Sequence, residues 1–369
     1  MRTLRGEPVD RPAVSFYELN GLDEDPNNDD PFNIYSHPSW RPLIELTREK
    51  TDRIVMRWVP YESDQPDPLQ KFTETETFMR DGSRHVIRKV QAGDRELTAR
   101  HRRDPDVNTT WTEEHLLKEI DDLKAYLELP SPAPDGIVNR EPVEQAENQL
   151  GDTGIVMIDT PDPLCLAADM FEMSEYTIIA LTEQSLFHRL LERFAQRLWA
   201  KTKAVAEALP GKLWRIYGPE YATPPYLPPR LFDEYVCRYV QPMIDAIQSY
   251  GGYARIHSHG NLREVLDMIA RMEPDGLDPI EPPPQGDVEL SYVRENYGEN
   301  MVLFGNLEVA DIENLPTEKF AEKVKRALDE GTSGTGRGFV LMPSACPYGR
   351  ELNPLALKNY EKMVEMVSS

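Results

Sequence analysis

The sequence predicts an α/β fold, a (β/α)8 TIM barrel. Eight apolar runs end in Gly, Pro, Asn or Asp, and helical patterns lie between many of them. Continuous apolar runs are typical of parallel strands covered on both faces, and alternation with helices is typical of barrels and doubly wound sheets. A doubly wound sheet that binds a dinucleotide would need a glycine-rich phosphate loop after its first strand, and none is visible. We therefore expect the barrel.

The eight apolar runs are the predicted barrel strands. They are 12–17, 53–59, 154–159, 212–217, 253–257, 276–280, 301–304 and 338–342.

Apolar residues at helical spacing predict the helices between and after these strands. Helices are expected at 185–209, 230–250 and 262–272, from about Thr317 as N-cap to about Glu330, and after Pro354 to the C-terminal region.

One region departs from the barrel pattern and predicts an antiparallel insertion after the second strand. Residues 72–103 carry a β-hairpin pattern that turns at Asp81-Gly82, with a further strand at 95–102. Residues 105–150 form a polar, Pro-rich connection with a helix predicted at about 113–127. The whole chain, 1–369, is expected to be a single domain.

Composition limits the classes of partner. The formal net charge is −23, from 64 acidic and 41 basic residues, and 40% of residues are hydrophobic. Nucleic acid and anionic membranes require a basic surface, so both are excluded as expected partners. A small-molecule substrate is compatible with this charge, and a monomer or homodimer is expected.

The cysteines and the N-terminal region predict a cytoplasmic protein. Cys165, Cys237 and Cys346 lie far apart in the sequence and form no CxxC pair. Such usage is typical of a reducing compartment. The first residues contain no apolar signal-peptide core, and no apolar stretch of 18 residues occurs.

The most informative residues are two histidines at the end of the fifth predicted strand. His257 and His259 stand two positions apart, so in a strand their imidazoles point to the same face. The carboxyl ends of barrel strands are where ligands and catalytic residues collect. The pair is therefore predicted to belong to a functional site.

Other strand ends supply residues that could join this pair. The candidate catalytic residues stand at the carboxyl ends of three runs: Asp159 at the third, Tyr217 and Glu220 at the fourth, and Glu281 after the sixth. Cys346 follows the eighth run. Asn261, Asp287 and Asn306 are candidate substrate-binding residues in the adjoining loops.

Spacing alone leaves three roles open for the histidines. Imidazole, thiolate and carboxylate are the usual ligands of Zn²⁺, so His257, His259 and Cys346 could form a metal site, with Glu220 or Glu281 as a further ligand. The imidazoles could instead bind a substrate carboxylate or act as acid and base without metal, or serve a structural role. Cys346 could equally be an inert buried thiol.

Several motifs together resemble the uroporphyrinogen decarboxylase superfamily. They are Gly6-Glu-Pro-Val-Asp-Arg-Pro12, His257-Ser-His-Gly-Asn261, Gly276-Leu-Asp-Pro-Ile280, Gly305-Asn306, Gly338-Phe-Val-Leu-Met-Pro-Ser344 and Asn359-Tyr360. The resemblance implies a distorted (β/α)8 barrel and two groups of activity. One group is the cofactor-free decarboxylases, and the other is the corrinoid-dependent methyltransferases.

The resemblance favours the methyltransferase group. The decarboxylases carry an arginine-rich segment near the first strand, whereas residues 15–21 here read Ser-Phe-Tyr-Glu-Leu-Asn-Gly. In the zinc-dependent methyltransferases the motif is similar to His-x-Cys-Gly, so His257 matches, His259 replaces the first cysteine and Cys346 lies near the second. A histidine ligand makes zinc less electron-rich, which weakens activation of a thiolate.

The sequence therefore leads to one main hypothesis and two alternatives. The main hypothesis is a zinc-dependent methyltransferase that acts with a corrinoid (cobalamin) protein or a methylated small molecule. The first alternative is a metal-free decarboxylase or lyase that acts on a carboxylated substrate. The second is a non-catalytic partner of a corrinoid protein.

Overall fold

A computed structural model describes residues 1–368 and shows an eight-stranded parallel sheet curled into a barrel that is nearly closed. The strands of the chain are β1 Ala13–Val14, β2 Arg53–Arg57, β3 Tyr61–Glu62, β4 Thr73–Arg80, β5 Ser83–Ala92, β6 Arg95–Arg103, β7 Thr110–Glu114, β8 Ile137–Val138, β9 Gly154–Pro161, β10 Leu213–Tyr217, β11 Tyr253–Ser258, β12 Gly276–Pro279, β13 Val302–Leu307 and β14 Phe339–Pro343.

The helices pack around this barrel and along the inserted sheet. They are α1 Arg41–Lys50, α2 Ile120–Leu127, α3 Glu141–Leu150, α4 Pro163–Ala168, α5 Met173–Thr182, α6 Gln184–Ala208, α7 Pro229–Phe232, α8 Arg238–Ser249, α9 Leu266–Arg271, α10 Leu290–Tyr297, α11 Val309–Asn314, α12 Thr317–Gly331 and α13 Pro354–Ser368.

The barrel follows the predicted strands. The order around it is β1-β14-β13-β12-β11-β10-β9-β2, and the pairs along this order are parallel. Each of the eight predicted runs overlaps one of these strands, so the (β/α)8 fold is confirmed. The ladder does not pair β1 with β2. At this seam Asp52 N donates to Val14 O at 2.7 Å, and the Asp52 carboxylate accepts from Val14 N at 2.9 Å.

Two apolar layers hold the barrel together. A large core lies between the strands and the surrounding helices and includes Ile158, Trp214 and Ile256. A smaller cluster, with Met157 and Leu213 among its members, occupies the alternate strand positions that face the barrel interior. Alternation along each strand thus separates the two layers, and near the carboxyl ends the inward positions become polar.

The insertion is a four-stranded antiparallel sheet in the order β4-β5-β6-β7. The hairpin turns at Asp81 and Gly82, as predicted. The helix predicted at 113–127 is wrong in its first half, because residues 110–114 pair with β6 as β7 and α2 begins at Ile120. Edge pairing with β6 outweighs the weak helical pattern of this polar segment.

Two further expectations need correction. The helix predicted at 262–272 is shorter, Leu266–Arg271, because the Asp287 carboxylate accepts from Leu262 N and Arg263 N and holds that stretch as a loop. Thr317 is the first helical residue of α12, not its cap, and Pro316 precedes it. Within residues 1–368, no helix combines the length and the apolar character needed to span a bilayer.

Candidate functional site

The barrel register brings several predicted residues to the same level of the mouth. Tyr217 on β10 lies opposite His257 on β11, which lies opposite Asp278 on β12. One step deeper, Asp159 on β9 lies opposite Arg215, which lies opposite Arg255. Side chains two apart share a face, so both levels belong to one polar lining.

A buried charge network forms the inner part of this site. Arg215 donates to both carboxylate oxygens of Asp159, at 2.6 and 3.0 Å, and its Nη1 donates to the Tyr17 hydroxyl at 2.5 Å. The Tyr17 hydroxyl lies 3.4 Å from His257 Nε2. His257 Nδ1 donates to Asp278 Oδ2 at 2.7 Å. This chain of contacts crosses the barrel from β9 to β12.

Arg255 completes the inner network from below. Its Nε lies 2.9 Å from Asp278 Oδ1 in a fully buried ion pair that lacks the alignment of a hydrogen bond. Burial alone would raise the pKa of Asp278, but Arg255 and His257 outweigh it and lower that pKa. Burial raises the pKa of Tyr17 far above its usual range. Asp278 is therefore an anion and Tyr17 a neutral phenol that can donate to His257 Nε2.

The outer part of the site is built around His259. Its Nδ1 donates to Glu281 Oε1 at 2.8 Å, and Gly260 N donates to the other oxygen of Glu281 at 2.8 Å. Burial would lower the pKa of His259, but the hydrogen bond to Glu281 outweighs it and raises that pKa. The His259 ring stands edge-on to His257, with 4.6 Å between the centroids.

Glu308 adds a second kind of carboxyl group beside this pair. Burial, followed by the charge of Glu281, raises the pKa of Glu308 to about 7. The Ser344 hydroxyl donates to Glu308 Oε2 at 3.2 Å, and Oε1 has no hydrogen-bond partner within residues 1–368. A carboxyl group that titrates near neutral pH can hold or release a proton under working conditions.

The remaining predicted residues lie at different distances from this centre. Tyr217 lies on the lining, with its ring centroid 5.3 Å from the Arg215 guanidinium carbon. Glu220 accepts from Gly218 N at 3.1 Å, and its charge contributes to raising the pKa of His259. Asp287 is committed to the backbone of the loop after β11.

Neither Asn261 nor Asn306 makes a side-chain hydrogen bond that would define a role within the described chain. Asn306 lies on β13, opposite Met342 on β14. Both residues stay predictions as substrate-binding residues.

Cys346 belongs to no metal-type cluster within residues 1–368. Burial of the thiol raises its pKa well above its usual range, and the charges of Glu18, Glu24 and Glu313 raise that pKa further. Within residues 1–368, no group of three or more His, Cys, Asp and Glu side chains is arranged to hold a metal ion. The set of His257, His259 and Cys346 is therefore not seen as a cluster here and stays a prediction. The histidine donors for a zinc ion would be the two Nε2 atoms, since both Nδ1 atoms donate to carboxylates.

Sequence reasoning missed five residues of this site: Tyr17, Arg215, Arg255, Asp278 and Glu308. A signal was present for the arginines, because each stands two positions before a predicted site residue inside an apolar strand. Glu308 stands two positions after Asn306, although this position lies just beyond the end of β13. Tyr17 ends the first predicted run, 12–17, but the observed strand β1 stops at Val14, so the contact of Tyr17 with His257 depends on how the segment after β1 bends.

Comparison with known proteins identifies the fold and the family. The uroporphyrinogen decarboxylase (URO-D) family model matches residues 113–368, which is more than half of the chain. A methyltransferase from Methanosarcina mazei shares the fold, with a TM-score of 0.63 and 16% identity, over 100% of this chain and 97% of that one.

Other comparisons add little. A D-psicose 3-epimerase matches with a TM-score of 0.31 and 11% identity over 62% of this chain and 80% of that one, too low to support an argument. No curated protein matches the sequence significantly. The family match, the barrel and the methyltransferase neighbour agree with the resemblance seen in the sequence. The chain belongs to the uroporphyrinogen decarboxylase family.

Proposed function

We propose that this protein is a methyltransferase of the URO-D family, which moves a methyl group from a methylated corrinoid, carried by a partner protein, to a small-molecule acceptor at the barrel mouth. The observation that carries this proposal is the His259–Glu281 pair. His259 Nδ1 donates to Glu281, and within residues 1–368 His259 Nε2 makes no hydrogen bond. Family membership and the fold shared with the Methanosarcina mazei methyltransferase support the proposal.

The proton balance of methyl transfer assigns a role to His259. When an acceptor X–H takes the methyl group, the bond to the donor breaks, its electron pair stays with the donor, and the acceptor's proton must leave. His259 Nε2 accepts that proton, and Glu281 stabilises the resulting imidazolium through the 2.8 Å hydrogen bond. The pKa of His259 lies above its ordinary value of 6.5, so the neutral, basic form of the imidazole prevails only above this raised pKa.

The inner network positions this centre. Asp278 fixes the His257 ring, and the Tyr17 hydroxyl and Arg215 close the other side. The His257 ring is therefore held in one orientation, and the His259 ring packs edge-on against it. Zinc at the two Nε2 atoms would supply a Lewis acid that polarises the acceptor. A zinc ion there would occupy the nitrogen that otherwise accepts the proton, so it would take the place of this base and not act beside it.

Methyl transfer can be measured directly. Anaerobic protein is incubated with methylcobalamin and a panel of thiol and amine acceptors, and loss of the methylcobalamin absorbance is followed from pH 5.5 to 8.5. We expect acceptor-dependent demethylation whose rate rises with pH through a midpoint above 6.5. Absence of demethylation with every acceptor, while the protein still binds methylcobalamin, would favour the non-catalytic partner.

Glu308 favours one second candidate, a metal-free decarboxylase. A carboxyl group with a pKa of about 7 is a suitable proton donor to the carbanion left by loss of CO₂. The two activities are separated by products, since decarboxylation releases CO₂ from a carboxylated substrate and leaves methylcobalamin unchanged. Release of ¹³CO₂ from ¹³C-carboxylated pyrrole acids would support this candidate.

A further inference from the structure

A cavity of 380 Å³ lies outside the barrel mouth, between the end of β2 and helix α6. Its walls are largely aromatic and aliphatic, and include Trp58, Tyr61, Tyr126 and Phe194. None of the mouth residues described above lines it. Cavities with apolar walls and a few polar groups are typical of small-molecule sites.

One polar group in this cavity is buried without a hydrogen-bond partner in the described residues. Lys201 on α6 is only 7% exposed, and its Nζ makes no hydrogen bond within residues 1–368. Buried ammonium groups are normally paired, because an unpaired charge in apolar surroundings is costly. Burial, followed by the charge of Arg197, lowers the pKa of Lys201 to about 7.

Trp58 covers this amine. Lys201 Nζ lies 3.0 Å from the centroid of the Trp58 ring, so the indole face stabilises its charge by a cation–π contact. The indole itself is 53% exposed, although it follows directly on a buried barrel strand. An exposed aromatic ring over a buried amine can be displaced by a ligand that offers the amine a better partner.

The other charges facing the cavity are mostly positive. Arg193 and Arg197 line it, and their guanidinium groups donate to the backbone carbonyls of Leu129, Pro130, Ala133 and Tyr61. Glu62 is the acidic residue of the lining and makes no ion pair with Lys201. The cavity is therefore apolar with a net positive charge, in a chain whose net charge is −23.

We propose that this cavity is a second binding site, which takes a small amphipathic carboxylate. The apolar body of the ligand lies among Tyr61, Tyr126 and Phe194, and its carboxylate accepts a hydrogen bond from Lys201 Nζ once the Trp58 indole moves aside. The site is independent of the function proposed for the barrel mouth.

The test uses 2-naphthoate as the anionic probe and 2-naphthalenemethanol as its neutral counterpart, with binding measured by isothermal titration calorimetry. Lys201→Met keeps the apolar stem and removes the amine, and Lys203→Met is the control at an exposed lysine of the same helix. We expect Lys201→Met to weaken naphthoate binding at least about tenfold, with Lys203→Met unchanged. The neutral probe should bind wild type and Lys201→Met alike.

Two measurements keep the test decisive if Lys201→Met does not fold. Lys201→Arg retains a cation and should bind naphthoate within about fivefold of wild type. In wild type, naphthoate should bind more tightly as the pH falls from 8.5 to 6.5. Above pH 7 its binding should take up a proton, because the bound carboxylate raises the pKa of the amine.

Three results would overturn the proposal. The first is that naphthoate shows no saturable binding to wild type up to about 1 mM. The second is that Lys201→Met binds naphthoate as tightly as wild type. The last is that His259→Asn loses naphthoate binding while Lys201→Met retains it. The last result would place the probe at the barrel mouth and would leave methyl transfer untouched, so failure here is distinct from failure of the proposed function.

Discussion

The two histidines at the end of β11 have the same immediate partner type but different surroundings. Each donates its Nδ1 hydrogen to a carboxylate, Asp278 for His257 and Glu281 for His259. The His257 side chain is 6% exposed and its Nε2 faces Tyr17, whereas the His259 side chain is 36% exposed and its Nε2 is uncommitted. Two positions along the chain, across the end of β11, thus separate a positioning residue from a residue able to react.

The largest expected effect is on activity, at the exposed member of the pair. His259→Asn should reduce methyl transfer about 10²–10⁴-fold, because the residue that accepts the proton is lost. Its free energy of unfolding should change by less than about 1 kcal/mol, since the ring is partly solvated. Rates come from methylcobalamin absorbance and stability from urea unfolding. His101→Asn, in the inserted sheet, is the control, and an active His259→Asn would contradict the assignment.

At the inner histidine, His257, the expected effect is on the free energy of unfolding, through its partner Asp278. Asp278→Asn leaves the buried Arg255 without its charge partner, and we expect the free energy of unfolding to fall by about 3–5 kcal/mol. The matched change at the outer pair, Glu281→Gln, should cost about 1 kcal/mol. Urea unfolding of both variants at pH 7 measures the difference. Equal costs would mean that the two carboxylates do not differ as the structure indicates.

Glu308 should make stability depend on pH. Its folded pKa of about 7 lies above the ordinary value of 4.5, so the folded state holds a proton that the unfolded state releases. The stability contributed by Glu308 is therefore full below pH 4.5 and is lost as the pH rises through 7. Glu308→Gln should be about 2–3 kcal/mol more stable than wild type at pH 8 and equal to it at pH 4.5.

Unfolding curves at several pH values give that comparison, and Glu318→Gln, at an exposed position of α12, is the matched control. A constant difference between Glu308→Gln and wild type across the pH range would contradict the raised pKa.

The smallest expected effect concerns Cys346 and zinc. If the zinc predicted from the sequence binds through the two histidines, untagged protein should contain about one Zn²⁺ per chain, and His259→Asn should lose it. Cys346→Ala should retain it, because that thiol lies in a different environment. Elemental analysis by mass spectrometry decides this, and zinc loss in Cys346→Ala would restore the three-ligand site. Wild-type protein that stays metal-free after addition of Zn²⁺ would contradict the zinc prediction.

The sequence predicted the barrel well because apolar strand patterns are local. It placed all eight parallel strands and the hairpin turn, and it singled out His257, His259, Glu281 and Asp159. It could not supply the ion pairs that join neighbouring strands, because their register is set by packing across the whole sheet. Arg255 is an example, since its partner Asp278 lies on the next strand, 23 residues further along the chain.

Cys346 shows how much less a position outside a strand determines. A position after the eighth strand predicts convergence with the fifth, yet Cys346 is partly buried and the groups whose charges act on it are Glu18, Glu24 and Glu313. Residues in a loop after a strand have more freedom of direction than residues on the strand itself, so spacing constrained the histidines more tightly than the thiol.

The seam between β1 and β2 has a consequence for the site. Tyr17, which links Arg215 to His257, follows the two-residue strand β1, and that strand meets β2 through Asp52 in place of a ladder. Short, weakly paired strands open at lower free energy than the rest of a sheet. We therefore expect the segment around β1, which within the described residues pairs with β14 alone, to open at lower free energy than the strands paired on both sides, and Tyr17 to leave the site with it. Opening of the β1–β2 seam would then widen the entrance to the barrel mouth for a large methyl donor.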